Sequence, residues 1–193
     1  MGRIPHSDMA AVLAATRRRV RQLEEDQGAV AGHDPVTGLV DLREFCLRLE
    51  IELSRARRHE RPLALALLDL EGFTELNASE GRAAGDVALC AVAGVLNRFL
   101  RAYDLACRTT GDEFALLLPE TDTDGAYACL ERILLELQML SLGATTGVAA
   151  FTGQESAMQL FGGAGRVLDD ARAQRPAPSP PAGEESRAEP EAA

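Results

Sequence analysis

The sequence predicts an α+β fold in which helices flank a central, mostly antiparallel sheet. Three observations predict it: a strand at 63–70 that opens with a continuous apolar run at 63–68, two short strands at 104–109 and 113–118 around a tight turn, and a last strand at 144–151 that follows a helix. Helical segments separate these strands. The resulting order of strand, helix, strand–turn–strand, helix and strand is typical of the split βαβ unit of ferredoxin-like domains.

Local signals place the individual elements along this domain. Asp41 has the side chain of an N-cap for a helix that ends near His59, and Pro62 stops this helix before the first strand. That strand is apolar from Leu63 to Leu68, as expected for a strand in the core. Further helical segments, of which the first is a short turn or helix, are expected at about 72–79, 85–100, 123–140 and 156–173.

Two flanking segments differ from this domain, which the composition bounds at 33–173. Residues 1–32 predict a helix with a seam at alternating four- and three-residue steps: Met9, Leu13, Thr16, Val20, Leu23, Gln27 and Val30. Such a seam favours a short coiled coil, although an amphipathic helix that lies on its own domain fits equally well. Residues 174–193 are Pro-rich, acidic and almost without large apolar side chains, which predicts disorder.

The charge and the apolar pattern exclude several classes of protein. The formal net charge is −10, which argues against duplex nucleic acid or an anionic membrane as the main partner, and all 20 basic residues are arginine. No apolar run approaches the ~20 residues of a membrane span, and the N-terminus lacks the apolar segment of a secretion signal. The four cysteines form no C-x-x-C pair, which favours free thiols and a cytoplasmic location.

Acidic residues stand at the ends of two predicted strands. An apolar run ends at Asp69, and another begins just after Asp112 and Glu113. In a split βαβ unit the first strand and the first hairpin strand run in the same direction, so the hairpin turn lies at the carboxyl end of the first strand. Asp69 and Asp112 are therefore expected at one edge of the sheet. Converging carboxylates repel one another unless a cation lies between them, and such oxygen ligands suit Mg²⁺ or Mn²⁺.

Six short motifs follow one another in a characteristic order and spacing. They are D-P-V-T-G-L at 34–39, D-L-E-G-F at 69–73, Asn77 with G-R-A-A-G-D at 81–86, R-A-Y-D at 101–104, T-G-D-E-F at 110–114 and T-T-G-V-A at 145–149. A lone G-D-E-F would be a weak signal, but the six together resemble the GGDEF family of diguanylate cyclases. The resemblance covers about 33–172 and implies the ferredoxin-like palm of nucleotide cyclases.

The resemblance implies an activity and a set of catalytic and metal-binding residues. Members of the family join two GTP molecules into cyclic di-GMP and pyrophosphate, and two domains face each other with one GTP in each, so a homodimer is expected. Asp69, Asp112 and the backbone carbonyl of Leu70 would hold Mg²⁺ or Mn²⁺. Glu113 would assist at the metal or at the attacking hydroxyl.

The resemblance also implies a substrate site and an inhibitory site. Asn77 and Asp86 would hydrogen-bond the guanine edge of GTP, and the Gly111 backbone would lie against the phosphates, where a side chain would obstruct close approach. Arg172 stands where the family usually has a phosphate-binding lysine.

Arg101 and Asp104 match the R-x-x-D site that binds product cyclic di-GMP, since arginine can grip phosphate or guanine with two hydrogen bonds. An ion pair between these two side chains is the simpler structural interpretation of the same motif.

The sequence departs from the family pattern at several positions. The first glycine of the signature is Thr110, whose β-branched side chain disfavours unusual dihedral angles and adds bulk near the phosphates. A usual phosphate-facing lysine is Thr74, and an arginine expected after Arg172 falls on Pro176. Three glycines in the last helix weaken it by about 1 kcal/mol each relative to alanine: Gly162, Gly163 and Gly165. The family's usual final strand is missing.

Two functions fit these observations. The first is a diguanylate cyclase, weakened by the loss of phosphate-binding positions. The second is a catalytically inactive GGDEF domain that acts as a receptor for cyclic di-GMP or GTP, or as an interaction module. In either case the signal would come from, or pass to, an unknown protein partner.

Overall fold

A computed structural model describes residues 32–175 and confirms the predicted α+β architecture. The elements, in chain order, are helix α1 (Leu42–His59), strand β1 (Leu63–Leu70), helix α2 (Phe73–Glu80), helix α3 (Arg82–Phe99), strands β2 (Leu105–Thr110) and β3 (Glu113–Pro119), helix α4 (Thr123–Met139), strand β4 (Ala144–Ala150) and helix α5 (Ala157–Ala173). The predicted N-terminal helix and the predicted tail from residue 176 onward lie outside the described residues.

The four strands form one antiparallel sheet in the order β2–β3–β1–β4. Because β3 lies between them, β1 and β2 run in the same direction without being neighbours. The turn between β2 and β3 is therefore at the carboxyl end of β1, as the topology predicts, and Asp69 is the register partner of Glu113. The acidic ends of the two strands are thus brought to one edge of the sheet.

Helices cover both faces of the sheet, and β1 supplies both cores. Ala64, Ala66 and Leu68 pack with α3 and α4 on one face, whereas Leu63 and Leu65 pack with α1 and α5 on the other. Successive side chains of a strand point to opposite faces, so a strand between two helical layers needs apolar side chains on both faces. This is why the run at 63–68 shows no alternation between apolar and polar residues.

The helix ends follow from local sequence signals. The Asp41 side chain accepts a hydrogen bond from the Glu44 N–H, which confirms it as the N-cap of α1. Helix α3 begins at Arg82, about three residues earlier than the sequence predicts, directly after Gly81 with its positive φ of 87°. The early start places G-R-A-A-G-D in the first turns of a helix. Within residues 32–175, no helix is long and apolar enough to cross a membrane.

Glycines allow the last helix to lie unusually close to the sheet. A Cβ atom added to Gly147 in β4 would overlap backbone atoms of Ala164 and Leu168 in α5. Helix α5 forms over 17 residues despite its glycines, and Ser156 and Gln159 make a capping box at its start. Close packing and a strong cap therefore offset the low helix propensity that the sequence predicts for this segment.

Candidate active site

A cleft of about 920 Å³ opens at the edge of the sheet where β1 ends and β2 turns into β3. Side chains from α2, α3 and the end of α5 complete its walls. The cleft brings together every residue that the sequence predicts for catalysis, metal binding and GTP binding: Asp69, Leu70, Asn77, Asp86, Gly111, Asp112, Glu113 and Arg172.

Two carboxylates form the floor of this cleft. Asp69 is 2% exposed and Glu113 is 5% exposed, and among the described residues they are the buried charged side chains. The Leu70 N–H donates a hydrogen bond of 3.1 Å to the Asp112 carbonyl oxygen, which ties the two strand ends together. Burying two like charges side by side is costly unless a positive charge compensates them.

Arg172 supplies that positive charge from the last turn of α5. Its Nη2 lies 2.7 Å from Asp69 Oδ1 and 3.3 Å from Glu113 Oε2, and its Nε donates to Asp69 Oδ2 at 3.1 Å. Burial alone would lower the pKa of Arg172, but the hydrogen bonds and negative charges of Asp69 and Glu113 raise it above its usual value. The guanidinium is therefore charged at every accessible pH.

The oxygen atoms at this edge suit a hard divalent cation. Within residues 32–175, no group of three or more His, Cys, Asp or Glu side chains stands ready to hold a metal ion by itself. Mg²⁺ is usually held by one or two carboxylates together with water and substrate phosphates, rather than by an all-protein cage. Asp69, Asp112 and the Leu70 carbonyl fit that mode of binding, with the remaining ligands supplied by a nucleotide.

The predicted guanine-binding residues lie on the consecutive helices α2 and α3, and both line the cleft. Asn77 is partly buried in α2, and Asp86 is exposed in α3. Gly85, directly before Asp86, is buried, and an added Cβ there would overlap the Asn77 amide. The absence of a side chain at Gly85 therefore leaves room for the Asn77 amide in its present position.

The turn between β2 and β3 presents Gly111 to the cleft. Gly111 carries a positive φ of 54°, whereas Thr110 ends β2 as the register partner of Glu113 and is not among the described residues with positive φ. The β-branched residue therefore avoids the dihedral angles it disfavours. Arg108 supports the turn, because its Nε donates a 2.7 Å hydrogen bond to the Gly111 carbonyl and its Nη1 lies 3.6 Å from Asp34 Oδ2.

Three cleft arginines were not found by sequence reasoning: Arg82, Arg108 and Arg175. Arg175 forms an ion pair of 3.2 Å with Glu71 and stands one position before Pro176, where the family pattern places an arginine. Arg108 directly precedes the signature motif, and Arg82 lies inside G-R-A-A-G-D, so proximity to the motifs was the available signal. With Arg172, four arginines line the cleft. The sequence had predicted that most of the positive charges for phosphate binding were lost.

The R-x-x-D residues lie at the opposite end of the sheet, before β2 begins. The Arg101 backbone N–H donates to Asp104 Oδ2 at 2.8 Å, while the exposed guanidinium donates to the Tyr103 hydroxyl at 3.2 Å. The two side chains therefore do not form the local ion pair that was the simpler interpretation. Asp104 Oδ1 is buried without a hydrogen-bond partner in the described part of the chain, and burial raises the pKa of this carboxyl.

Comparison with known proteins gives matches over the same residues. A family profile described as "Diguanylate cyclase, GGDEF domain" matches residues 31–176. Diguanylate cyclase DgcP of Pseudomonas aeruginosa is 33% identical over an alignment of 179 positions, which covers 83% of this chain and 27% of that protein. The chain thus spans about a quarter of the length of this relative.

Solved structures show the same fold. Diguanylate cyclase SiaD from Pseudomonas aeruginosa, in complex with its activator SiaC, gives a TM-score of 0.72 at 31% identity, over 86% of this chain and 68% of that chain. A microbial GGDEF domain that interacts with cyclic di-GMP gives 0.69 at 25% identity, over 74% of this chain and 90% of that chain. The profile match covers the whole cleft and the R-x-x-D segment, and the chain therefore belongs to the GGDEF-domain family of diguanylate cyclases.

Proposed function

We propose that the protein acts in cyclic di-GMP signalling as a diguanylate cyclase. Its cleft would bind GTP with Mg²⁺ or Mn²⁺, and two such domains in a homodimer would join two GTP molecules into cyclic di-GMP and pyrophosphate. The observation that carries this proposal is the convergence on one cleft of all eight residues predicted for catalysis, metal binding and GTP binding, with Asp69 and Glu113 buried at its floor.

Guanine selection follows from the chemistry of Asn77 and Asp86. A carboxylate accepts hydrogen bonds from the guanine ring N–H and its amino group, whereas adenine presents an acceptor at the ring position. Asp86 is exposed on α3 within the cleft and is available to a base that enters from solvent. The Asn77 amide, which occupies the space left by Gly85, would bind the same base from α2.

Phosphate binding would rest on arginines, since the usual lysine position is Thr74. Arg82, Arg108 and Arg175 reach the cleft in addition to Arg172. Phosphoryl transfer needs mainly positioning and neutralisation of charge, so a set of cations around the triphosphate can replace the missing lysine. The Gly111 backbone, with open space where a side chain would stand, would allow the phosphates to approach the turn closely.

The reaction needs a 3′-hydroxyl of one GTP to attack the α-phosphate of the other. Glu113 lies at the carboxyl end of β1, beside Asp69, where its carboxylate would accept a proton from that hydroxyl or help to hold the metal. A divalent ion, when bound, neutralises triphosphate charge and favours departure of pyrophosphate. The two reacting groups come from different domains, which is why the proposal includes a homodimer.

A second function is favoured by the geometry at Arg101 and Asp104. An exposed guanidinium beside an aromatic ring and a buried carboxylate oxygen without a partner, in the part of the chain that the structure describes, offer donors and an acceptor to a guanine nucleotide. We propose that this site binds cyclic di-GMP, either as feedback inhibition of the cyclase or as the sole function of a receptor. An unidentified protein would supply or receive the signal, as the activator SiaC does for SiaD.

The first function is tested by incubating the purified protein with GTP and Mg²⁺ or Mn²⁺ and separating the products by chromatography. We expect cyclic di-GMP, with no product from Asp112→Ala and unchanged product from Asp124→Ala, an exposed carboxylate in the first turn of α4. Absence of cyclic di-GMP at high protein concentration contradicts the cyclase. The receptor would then be tested by calorimetry with cyclic di-GMP on the wild type and on Arg101→Ala.

A further inference from the structure

One arginine contacts three carboxylates, two at the floor of the cleft and one at the surface. Arg172 contacts Asp69 through two nitrogen atoms at 2.7 and 3.1 Å, Glu113 at 3.3 Å and Asp169 at 3.1 Å. The Asp69 and Glu113 side chains are 3% and 7% exposed, whereas the Asp169 side chain is 52% exposed. The guanidinium thus lies between a buried pair of acceptors and one at the surface.

The position of this guanidinium coincides with the place where a divalent cation is expected. Asp69 is the carboxylate that belongs to both proposals, because its two oxygen atoms accept hydrogen bonds from Arg172 and would also coordinate the metal. A planar guanidinium bound side-on to a carboxylate uses lone pairs on both oxygen atoms. A doubly charged ion at the same oxygen atoms would also be repelled by the arginine.

We propose that Arg172 is a displaceable internal cation, which holds the buried carboxylates in the metal-free protein and must leave them before a divalent ion binds. This inference rests on the proposed function, because it concerns the same metal site. When a ligand binds only one of two states of a protein, its apparent affinity is its intrinsic affinity multiplied by the fraction of the protein in that state. Metal binding without nucleotide is therefore weakened by the arginine.

The surroundings of Arg172 provide places for the released side chain. Asp169, one turn earlier in α5, is an exposed acceptor already in contact with Nη1. A triphosphate in the cleft would be a stronger acceptor, because it carries several negative charges at a position lined by arginines. Nucleotide would thus draw Arg172 away from Asp69 and strengthen metal binding, so that the two ligands bind with positive coupling.

Arg175 provides a control for the general effect of a positive charge in the cleft. It lines the same cleft and carries the same charge, but its ion pair is with Glu71 rather than with Asp69 or Glu113. If any positive charge in the cleft weakened metal binding, removal of Arg175 would have the same effect as removal of Arg172. Direct competition for the Asp69 oxygen atoms predicts an effect of Arg172 alone.

The experiment measures Mn²⁺ binding without nucleotide, from the electron paramagnetic resonance signal of free Mn²⁺. We expect Arg172→Gln to bind Mn²⁺ at least about tenfold more tightly than the wild type, a factor equivalent to about 1.4 kcal/mol. Arg175→Gln is expected to stay within about twofold of the wild type, as is Arg166→Gln, an exposed position on the same helix. Asp69→Asn in the Arg172→Gln background is expected to lose the tight site.

Equal or weaker Mn²⁺ binding by Arg172→Gln overturns the inference, as does equal tightening by Arg175→Gln or the lack of Mn²⁺ binding by every variant. Thermal unfolding guards against a folding defect: Mn²⁺ is expected to raise the Tm of Arg172→Gln more than that of the wild type. Arg172→Lys, which restores a point charge without the planar fork, is expected to bind Mn²⁺ with intermediate affinity. These measurements use no GTP, so their outcome does not depend on whether the protein forms cyclic di-GMP in the product assay.

Discussion

Gly85 in α3 leaves open the space that the side-chain amide of Asn77 occupies. The two residues lie on consecutive helices, and Gly85 is buried although a glycine inside a helix lowers its stability. The contact explains why a glycine stands directly before Asp86. An alanine at Gly85 would displace the Asn77 amide, whereas an alanine elsewhere in α3 would change only the stability of the helix. The relationship can therefore be tested.

We expect Gly85→Ala to weaken GTP binding by about tenfold, the loss expected when a hydrogen bond to the base is broken. The new Cβ would displace the Asn77 amide, and calorimetry with a non-hydrolysable GTP analogue measures the effect. Gly94→Ala is the matched control, because Gly94 lies in the same helix with open space around it. This control is expected to stabilise the protein by about 0.5–1 kcal/mol with unchanged GTP affinity, and an equal loss of affinity in both variants would refute the explanation.

Asp104→Asn is expected to abolish cyclic di-GMP binding without unfolding the R-x-x-D turn, because an amide oxygen can still accept the Arg101 N–H. Burial raises the pKa of the Asp104 carboxyl, so the folded state binds its proton more tightly than the unfolded state does. The charged carboxylate therefore lowers stability once the pH exceeds both pKa values. The stability of Asp104→Asn relative to the wild type should rise as the pH is raised from below 3.8, the usual value, towards neutrality.

Thermal melts across that pH range, with calorimetry at neutral pH, measure both effects of Asp104→Asn. Arg101→Ala is the companion variant, since it removes the exposed guanidinium and leaves the carboxyl in place. A pH-independent difference in stability between Asp104→Asn and the wild type would contradict the assigned effect of burial. Retained cyclic di-GMP binding in both variants would remove the R-x-x-D site from the proposal.

Arg108→Lys is expected to lower the free energy of unfolding by about 1 kcal/mol and to weaken GTP binding. A lysine keeps the charge but lacks the planar fork that spans the Gly111 carbonyl and the Asp34 carboxylate. Urea denaturation and nucleotide titration measure the two effects. Arg98→Lys alters an exposed ion pair with Glu136 and should change neither; GTP affinity preserved in Arg108→Lys would show that the turn needs only the charge.

Gly147→Ala is expected to destabilise the protein by about 2–3 kcal/mol, because the added methyl group meets backbone atoms of α5 that cannot rotate away. Gly162→Ala is the control within α5, where the nearest atom is the flexible end of Arg166 at 3.6 Å, and it should stabilise the helix by about 0.5–1 kcal/mol. Chemical denaturation distinguishes the two. A mild effect of Gly147→Ala would mean that α5 can move away from β4.

Much of the fold could be predicted from short-range patterns. The apolar residues 63–68 of β1 and the Asp41 N-cap are local signals, and the order of strands and helices was enough to predict that Asp69 and Asp112 lie at one edge. Helix α5 was harder, because its glycines lower helix propensity while they allow contact with β4. Propensity is a property of the segment, whereas that contact depends on a partner strand.

The residues predicted for catalysis, metal binding and GTP binding line one cleft, but the sequence did not predict the ion pairs within it. Arg172 was expected at the phosphates, yet it contacts Asp69, 103 positions away along the chain. Spacing rules describe neighbours within an element and say nothing about which acceptor a long side chain reaches across a cleft. For the same reason Arg175, one position away from the pattern, was not found as a residue of the site.

Arg172 also determines how the site responds to alkali, because contact with Asp69 and Glu113 raises its pKa above the usual value. A lysine or histidine would lose its proton as the pH rises, but arginine remains protonated throughout the range in which proteins are stable. The chain contains no lysine at all. The positive charge that Arg172 presents to a triphosphate should therefore persist well into the alkaline range, without the decline that deprotonation of a phosphate-binding lysine would cause.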